Sequence, residues 1–247
     1  MKSTIKTLCC ASLLAIIISA CGGGGGGSST PTPTQTTQPT PKNVTIDAEG
    51  DSTIYGLQLD NGQYVQTPNN APVELQIDLR AALGNTVSVT NSGVPGATIA
   101  ESLAGTAPYS GTPFAQRLAA MPSSVQIVIA NFGINDANLI TSSAYESGLE
   151  SFITAVRAAG KTPILEEPNP ICSTPEQSAN LDTFVPIMDA VAKQQSVPLI
   201  EQYYYIKSLP GWQGMLPDCI HPNDALYKIK ADRETSVLRP IVQQLMD

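Results

Sequence analysis

Gln126-Ile127-Val128-Ile129-Ala130, followed at once by Asn131-Phe132-Gly133-Ile134-Asn135-Asp136, is the stretch on which the fold turns. The run Gln126–Ala130 is short and continuously apolar, the pattern of a strand buried on both faces rather than of one alternating between core and water. A strand covered on both sides belongs to a sheet held between two helical layers. The polar, glycine-containing segment that follows is where the chain must leave the sheet.

Similar signals lie on either side. Val44-Thr45-Ile46 reads as a first strand running into Gly50-Asp51-Ser52. Pro72–Leu83 reads as a helix, with Val73, Ile77 and Leu79 to Leu83 toward one face and Gly84 as its stop. Thr86–Thr90 is a second strand ending at Asn91-Ser92-Gly93. Downstream, Ala144–Ala159 carries Leu149, Phe152, Ile153 and Val156 at helical spacing before Gly160. Thr162–Leu165 is a fourth strand, broken by Pro168 and Pro170. Leu181–Gln195 is a helix that Pro186 should bend or shift. Val197–Ile200 is a fifth strand, and Asp224–Leu245 a closing helix kinked at Pro240. This alternation predicts an α/β fold over residues 43–247: a three-layer α/β/α sandwich around a mainly parallel five-stranded sheet. In such sheets reactive groups collect on loops at the carboxyl ends of the strands.

The 247 residues suit one such domain plus processing segments. Net charge is −8, and no Lys/Arg run occurs, which argues against nucleic acid as a partner. Residues 1–20 read as a lipoprotein signal peptide: Lys2 and Lys6 precede Leu8–Ala20, an apolar stretch too short to span a bilayer comfortably. Ile18-Ser19-Ala20-Cys21 resembles the bacterial lipobox, which implies lipidation at Cys21. Residues 21–42 then form a tether of Gly, Ser, Thr, Pro and Gln, expected to be disordered. The expectation is an exported monomer, lipid-anchored to the bacterial cell envelope on the outer-membrane or periplasmic side, touching membrane only through that anchor.

Cys9 and Cys10 leave with the signal and Cys21 takes the lipid. Cys172 and Cys219 remain, an even pair in an oxidising compartment, as a disulfide or as two buried thiols. Two cysteines and the single histidine offer no metal-ligand set, and no cofactor is expected.

Three motifs occupy the predicted strand-end loops. Gly50-Asp51-Ser52-Thr53 follows the first strand, where glycine permits a tight turn and a serine can be raised from the sheet edge. Gly133-Ile134-Asn135-Asp136 follows the third; an Asn amide can donate to a developing oxyanion, although Asn and Asp also suit a helix N-cap. Asp218-Cys219-Ile220-His221 contains the one histidine of the chain, with a carboxylate three residues earlier that can fix its tautomer. Each motif alone has an ordinary structural explanation. Their joint order is what distinguishes them.

In that order and at those places the motifs resemble the SGNH hydrolase family, the GDSL-like esterases and lipases, over roughly residues 43–245. The resemblance implies a flavodoxin-like fold, Ser52 as nucleophile, His221 as general base and then acid, and Asp218 orienting it. It further implies an oxyanion hole from the backbone N–H groups of Ser52 and Gly93 with the Asn135 amide, Gly96 being the alternative to Gly93. Thr53 departs from the family's usual leucine. The expected reaction is hydrolysis of small carboxylic esters through an acyl-enzyme. A polysaccharide O-acetyl esterase and a non-catalytic glycan-binding module are the alternatives. A Cys172–Cys219 bond would pin the histidine loop beside the site. Glu166 and Glu167 read as strand-end polar residues rather than a glycosidase pair. Tyr203-Tyr204-Tyr205 and Trp212 are candidates for a pocket wall or, for at least two of them, for core.

Overall fold

The computed structural model describes residues 42–247, so the readings of the signal peptide, Cys21 and most of the tether lie outside the described residues. The chain runs β1 (Val44–Gly50), α1 (Ser52–Tyr55), β2 (Leu57–Asp60), β3 (Gln63–Gln66), α2 (Ala71–Leu83), β4 (Val87–Gly93), α3 (Ile99–Ala104) and α4 (Phe114–Ala120). It continues through β5 (Val125–Asn131), α5 (Asp136–Leu139), α6 (Ser142–Ala158), β6 (Thr162–Glu166), α7 (Pro175–Gln195), β7 (Leu199–Ile200) and α8 (Tyr203–Ser208). A 3-10 turn (Trp212–Met215) then leads to α9 (Asp224–Met246).

Five strands form one sheet in the order β4-β1-β5-β6-β7, and every pair is parallel. β5 alternates as a doubly buried strand must. Ile127 and Ile129 enter a core with Leu75 and Leu79 of α2 and Ala231, Leu238 and Val242 of α9. Val128 and Ala130 enter the opposite core with Ile99, Phe114, Phe152 and Val185 from α3, α4, α6 and α7. Each of the Val, Leu, Ile and Phe side chains contributes about 1.5–3 kcal/mol by leaving water, the two alanines less.

From β1 the chain goes outward to β4 on one side, then returns to place β5 on the other. This reversal opens a crevice at the carboxyl ends of β1 and β5, the place where open α/β sheets bind ligands. Register then brings the motifs level: Gly50 faces Gly93 on one side and Asn131 on the other.

Two glycines are needed for close approach. A Cβ on Gly50 would lie 2.6 Å from the Asn131 carbonyl oxygen, and one on Gly93 only 2.2 Å from the Tyr55 nitrogen. Larger residues would push α1 off the sheet.

Several elements depart from expectation. On α2 the buried stripe is Pro72, Leu75 and Leu79, while Val73 and Ile77 face solvent. The i, i+4 pair Leu75/Leu79 sets the inner face. α7 starts at Pro175, capped by Thr174, and runs through Pro186, whose missing N–H leaves the Asp182 carbonyl without its helical donor. The antiparallel β2–β3 hairpin was not anticipated; it turns at Asn61-Gly62, both with positive φ (47° and 78°). α3 and α4 were likewise unanticipated.

Candidate active site

Ser52 is the first residue of α1, directly beyond β1. Asp51 caps that helix: its Oδ1 accepts the Thr53 N–H at 2.8 Å. The Thr53 hydroxyl lies 2.9 Å from Asp51 Oδ1 and 3.1 Å from Asn131 Oδ1, tying the serine turn to the end of β5. A leucine at position 53 could make neither contact. Burial raises the Asp51 carboxyl, against the hydrogen bonds from Thr53.

The third motif arrives from the opposite end of the chain. His221 Nε2 lies 2.9 Å from Ser52 Oγ, and Nδ1 lies 2.6 Å from Asp218 Oδ2. Asp218 Oδ1 accepts the backbone N–H groups of His221 (2.7 Å) and Ile220 (3.0 Å), so its orientation is set by its own loop. Burial alone would push the Asp218 carboxyl up. Hydrogen bonds from the His221 ring, from the His221 and Ile220 backbone, and the histidine's charge hold it below its ordinary value. With Nδ1–H donated to Asp218, Nε2 is left as the acceptor for the serine proton.

That loop sits beyond the last strand and is anchored otherwise. Cys172 and Cys219 are bonded, and the Cys172 N–H donates to the Cys219 carbonyl at 2.8 Å. Asn169, fully buried, donates to the Ile220 carbonyl at 3.0 Å.

Beside Ser52 is a cavity of about 330 Å3, whose walls include Leu57, Gly96, Ile134, Asn135, Ile171 and His221. Asn135 donates one amide hydrogen to the Ala97 carbonyl at 3.0 Å, which fixes the side chain in the cavity wall. Gly93 does not line this cavity. Its N–H is donated to Asn91 Oδ1 at 3.1 Å, whereas Gly96, at φ 80°, does line it. Ser52, Asp218, His221 and Asn135 are therefore brought together, and Gly93 is not.

The other candidates lie apart from the cavity. Glu166 is buried against Lys230 and Gln202, and Glu167 accepts the Tyr203 N–H at 2.7 Å, its pKa pushed up to about 8 by burial. Tyr203 is core and Trp212 packs half-buried on a small cluster around Ile206 and Leu216. Tyr204 and Tyr205 are exposed, so of the four only Tyr203 and Trp212 are inward. Among the described residues no group of potential metal ligands forms, and no helix is long and apolar enough to cross a membrane.

Sequence reasoning missed Tyr64. It projects from β3, 60% exposed, with its ring edge-on to His221 at 5.8 Å between centroids. Its hydroxyl faces Asp218, whose carboxylate raises the phenol pKa.

Residues 48–229 match the model of the GDSL-like Lipase/Acylhydrolase family. No curated protein matches the sequence. Among solved structures, a lipase/acylhydrolase from Enterococcus faecalis is similar at 23% identity and a TM-score of 0.63, over 80% of this chain and 96% of that one. The protein TesA is similar at 24% identity and a TM-score of 0.63, over 80% and 99%. Est24, a carbohydrate acetylesterase from Sinorhizobium meliloti, is similar at 13% identity and a TM-score of 0.62, over 82% and 98%. At these identities the structures speak for the fold.

Proposed function

The chain belongs to the GDSL-like lipase/acylhydrolase family, and from that premise we propose that it is a serine ester hydrolase in which Ser52, His221 and Asp218 cleave small carboxylic esters. The observation that carries this reading is the continuous chain from Ser52 Oγ to His221 Nε2 (2.9 Å) and from Nδ1 to Asp218 (2.6 Å) at the edge of a largely apolar cavity.

Ser52 Oγ attacks the ester carbonyl as its proton passes to His221 Nε2. Asp218 stabilises the imidazolium so formed and keeps the tautomer. The Asn135 amide and the backbone N–H groups of Ser52 and Gly96 receive the oxyanion, Gly96 taking the part expected of Gly93. The alcohol leaves with the proton from His221. Water, deprotonated by His221, then attacks the acyl-serine and releases the acid.

A cavity walled by Ile134, Ile171 and Ile220 favours a short acyl group, and an acetyl ester on a glycan is the narrower form of the same reading. Hydrolysis of para-nitrophenyl esters from acetate to dodecanoate tests both. Ser52→Ala should lose about 10⁶-fold in kcat, as removal of the nucleophile does elsewhere, with rates in the wild type falling as the acyl chain lengthens. Hydrolysis that persists in Ser52→Ala sinks the reading; a folded wild type inert on every ester leaves a glycan-binding module in its place.

We further propose export and anchoring through a lipid on Cys21, on the strength of the sequence of residues 1–42. Fatty-acid labelling of the wild type but not of Cys21→Ser is expected, and an unlabelled wild type refutes it.

A further inference from the structure

A second cavity is larger than the one beside Ser52. It has a volume of about 550 Å3 and lies on the α3/α4 side of the sheet at the β4 edge; neither Ser52, His221 nor Asn135 lines it. That volume falls within the roughly 300–1,000 Å3 of small-molecule sites.

Its floor is chemically odd. Asp47 and Glu49, two apart on β1, point to the same face of a central strand and are 3% and 2% exposed. Glu49 is satisfied. Arg117 reaches it with Nη2 at 2.7 Å and Nε at 3.4 Å. The remaining Arg117 donors go to the Ser102 carbonyl, the Thr112 carbonyl and the Ser102 hydroxyl. All five guanidinium hydrogens are thereby committed, and none is left for Asp47.

Asp47 Oδ1 accepts the Ser92 hydroxyl at 2.7 Å, while its Oδ2 has no partner among the described residues. The Tyr109 hydroxyl, in the same cavity wall, also lacks one. A buried carboxylate oxygen left without a donor carries its full desolvation penalty.

What Asp47 lacks is a donor rather than a countercharge. Burial raises the Asp47 carboxyl, against the Ser92 hydrogen bond and the positive charges of Arg117 and Lys161 already nearby, and Lys161 Nζ is fixed on the Val125 carbonyl at 2.7 Å. A cationic ligand would have to enter against these two positive groups. A hydroxyl meets no such opposition, and it can donate to Asp47 Oδ2 while accepting from Tyr109. Gln116 adds an amide, and Val94, Met121 and Pro122 supply an apolar wall for a C–H face.

We propose that this cavity binds a neutral, polyhydroxylated ligand, one or two sugar rings, through Asp47 Oδ2 and the Tyr109 hydroxyl. The site is separate from the Ser52 cavity and does not rest on the esterase reading.

Titration of the protein with glucose, N-acetylglucosamine and their β-1,4-linked dimers, followed by saturation-transfer NMR and calorimetry, tests it, with putrescine as the cationic control. At least one sugar should bind saturably. Asp47→Asn, which turns the free acceptor into a donor, should weaken that binding about tenfold or more, the range for losing a charge-assisted hydrogen bond. Should Asp47→Asn fail to fold by circular dichroism, Tyr109→Phe decides, being a change of one atom. The proposal is overturned by saturable binding of none of the four sugars, by tighter binding of putrescine, or by sugar binding of unchanged strength in the deciding variant.

Discussion

The two halves of the proposed catalytic centre are held by different means. Ser52 follows β1, which pairs with β4 along its whole length and with β5 from Thr45 to Gly50, and its turn is fastened by Asp51 and Thr53. The Asp218–His221 segment has no strand directly before it: a 3-10 turn leads in, and Cys219 sits at φ 65°. Its fixtures are the Cys172–Cys219 bond, Asn169 on the Ile220 carbonyl, and the cluster of Ile206, Leu216 and Leu226 beneath. Regular hydrogen bonding fixes Ser52, whereas a cross-link and side-chain contacts fix His221. Chemistry placed on irregular backbone needs such substitutes, because loop backbone otherwise opens locally at low free-energy cost.

The strongest way to test that contrast is to damage the histidine loop without moving it. Asp218→Asn keeps the side-chain shape but removes the charge that orients and stabilises His221. kcat should fall about 10⁴-fold with little change in KM, as in comparable triads. A loss under tenfold would mean that the loop backbone alone holds the imidazole.

Breaking the cross-link comes next. The bond closes a segment with a sequence separation of 47, for which loop-closure entropy suggests about 4 kcal/mol of stability. Cys172→Ser/Cys219→Ser should melt lower. Its amide protection against hydrogen exchange should fall at residues 218–221 and persist in β1 and β5. Equal loss of protection in both regions would erase the distinction drawn here.

On the sheet-held side, Asn135→Ala removes a proposed oxyanion donor and should cost about 10²–10³ in kcat. The neighbouring Asp136 offers a gentler probe. It is buried, its Oδ1 accepts the Ile99 N–H at 2.8 Å, and burial raises its pKa from 3.8 to about 7. An acid raised on folding binds more protons folded than unfolded, so its contribution falls as pH rises from 3.8 toward about 7, by at most about 1.4 kcal/mol per pH unit. Glu49, pushed up to about 7 by burial despite Arg117, acts in the same direction. Melting temperature should therefore decline over that range, and decline less in Asp136→Asn. Parallel curves for the two proteins would remove Asp136 from the account.

How much of this could be read in the residues follows the same division. The sheet was legible because β5 and β6 are apolar on both faces, and Ser52 because it closes a first strand. Asp218 and His221 were legible because they lie three apart and the chain has a single histidine. The choice between Gly93 and Gly96 was not, since it depends on the path of Val94-Pro95-Gly96, which turns one amide to Asn91 and leaves Gly96 in the cavity wall. The hairpin escaped notice because β2 and β3 are short and hold no buried residue, so the Leu57/Leu59 alternation is too brief to stand out and β3 has none. Asn61-Gly62 was its clearest signal. Asp47 and Glu49 carry no signal of burial in the sequence, yet both are buried in the fold, Glu49 against Ser102 of α3 and Arg117 of α4.

The hairpin also supplies the smallest expected effect and the finest test of how the histidine loop is held. Tyr64 reaches from β3 across to His221 and Asp218 without being part of their loop. The hairpin's base is fixed by the Thr67 N–H on the Gly56 carbonyl (2.9 Å) and by the Tyr227 hydroxyl on the Leu57 carbonyl (2.8 Å), so Tyr64 leans from a braced element. Because the residue is 60% exposed, removing its hydroxyl should leave the melting temperature unchanged. Tyr64→Phe should lower kcat/KM only slightly, by about twofold, because its exposed hydroxyl acts on the Asp218 carboxylate through solvent. Tyr64→Ala should lower it further, since the ring also screens the imidazole from water. Equal rates in wild type and both variants would show that the cross-linked loop needs no help from the hairpin. A loss in Tyr64→Ala alone would assign the contribution to the ring.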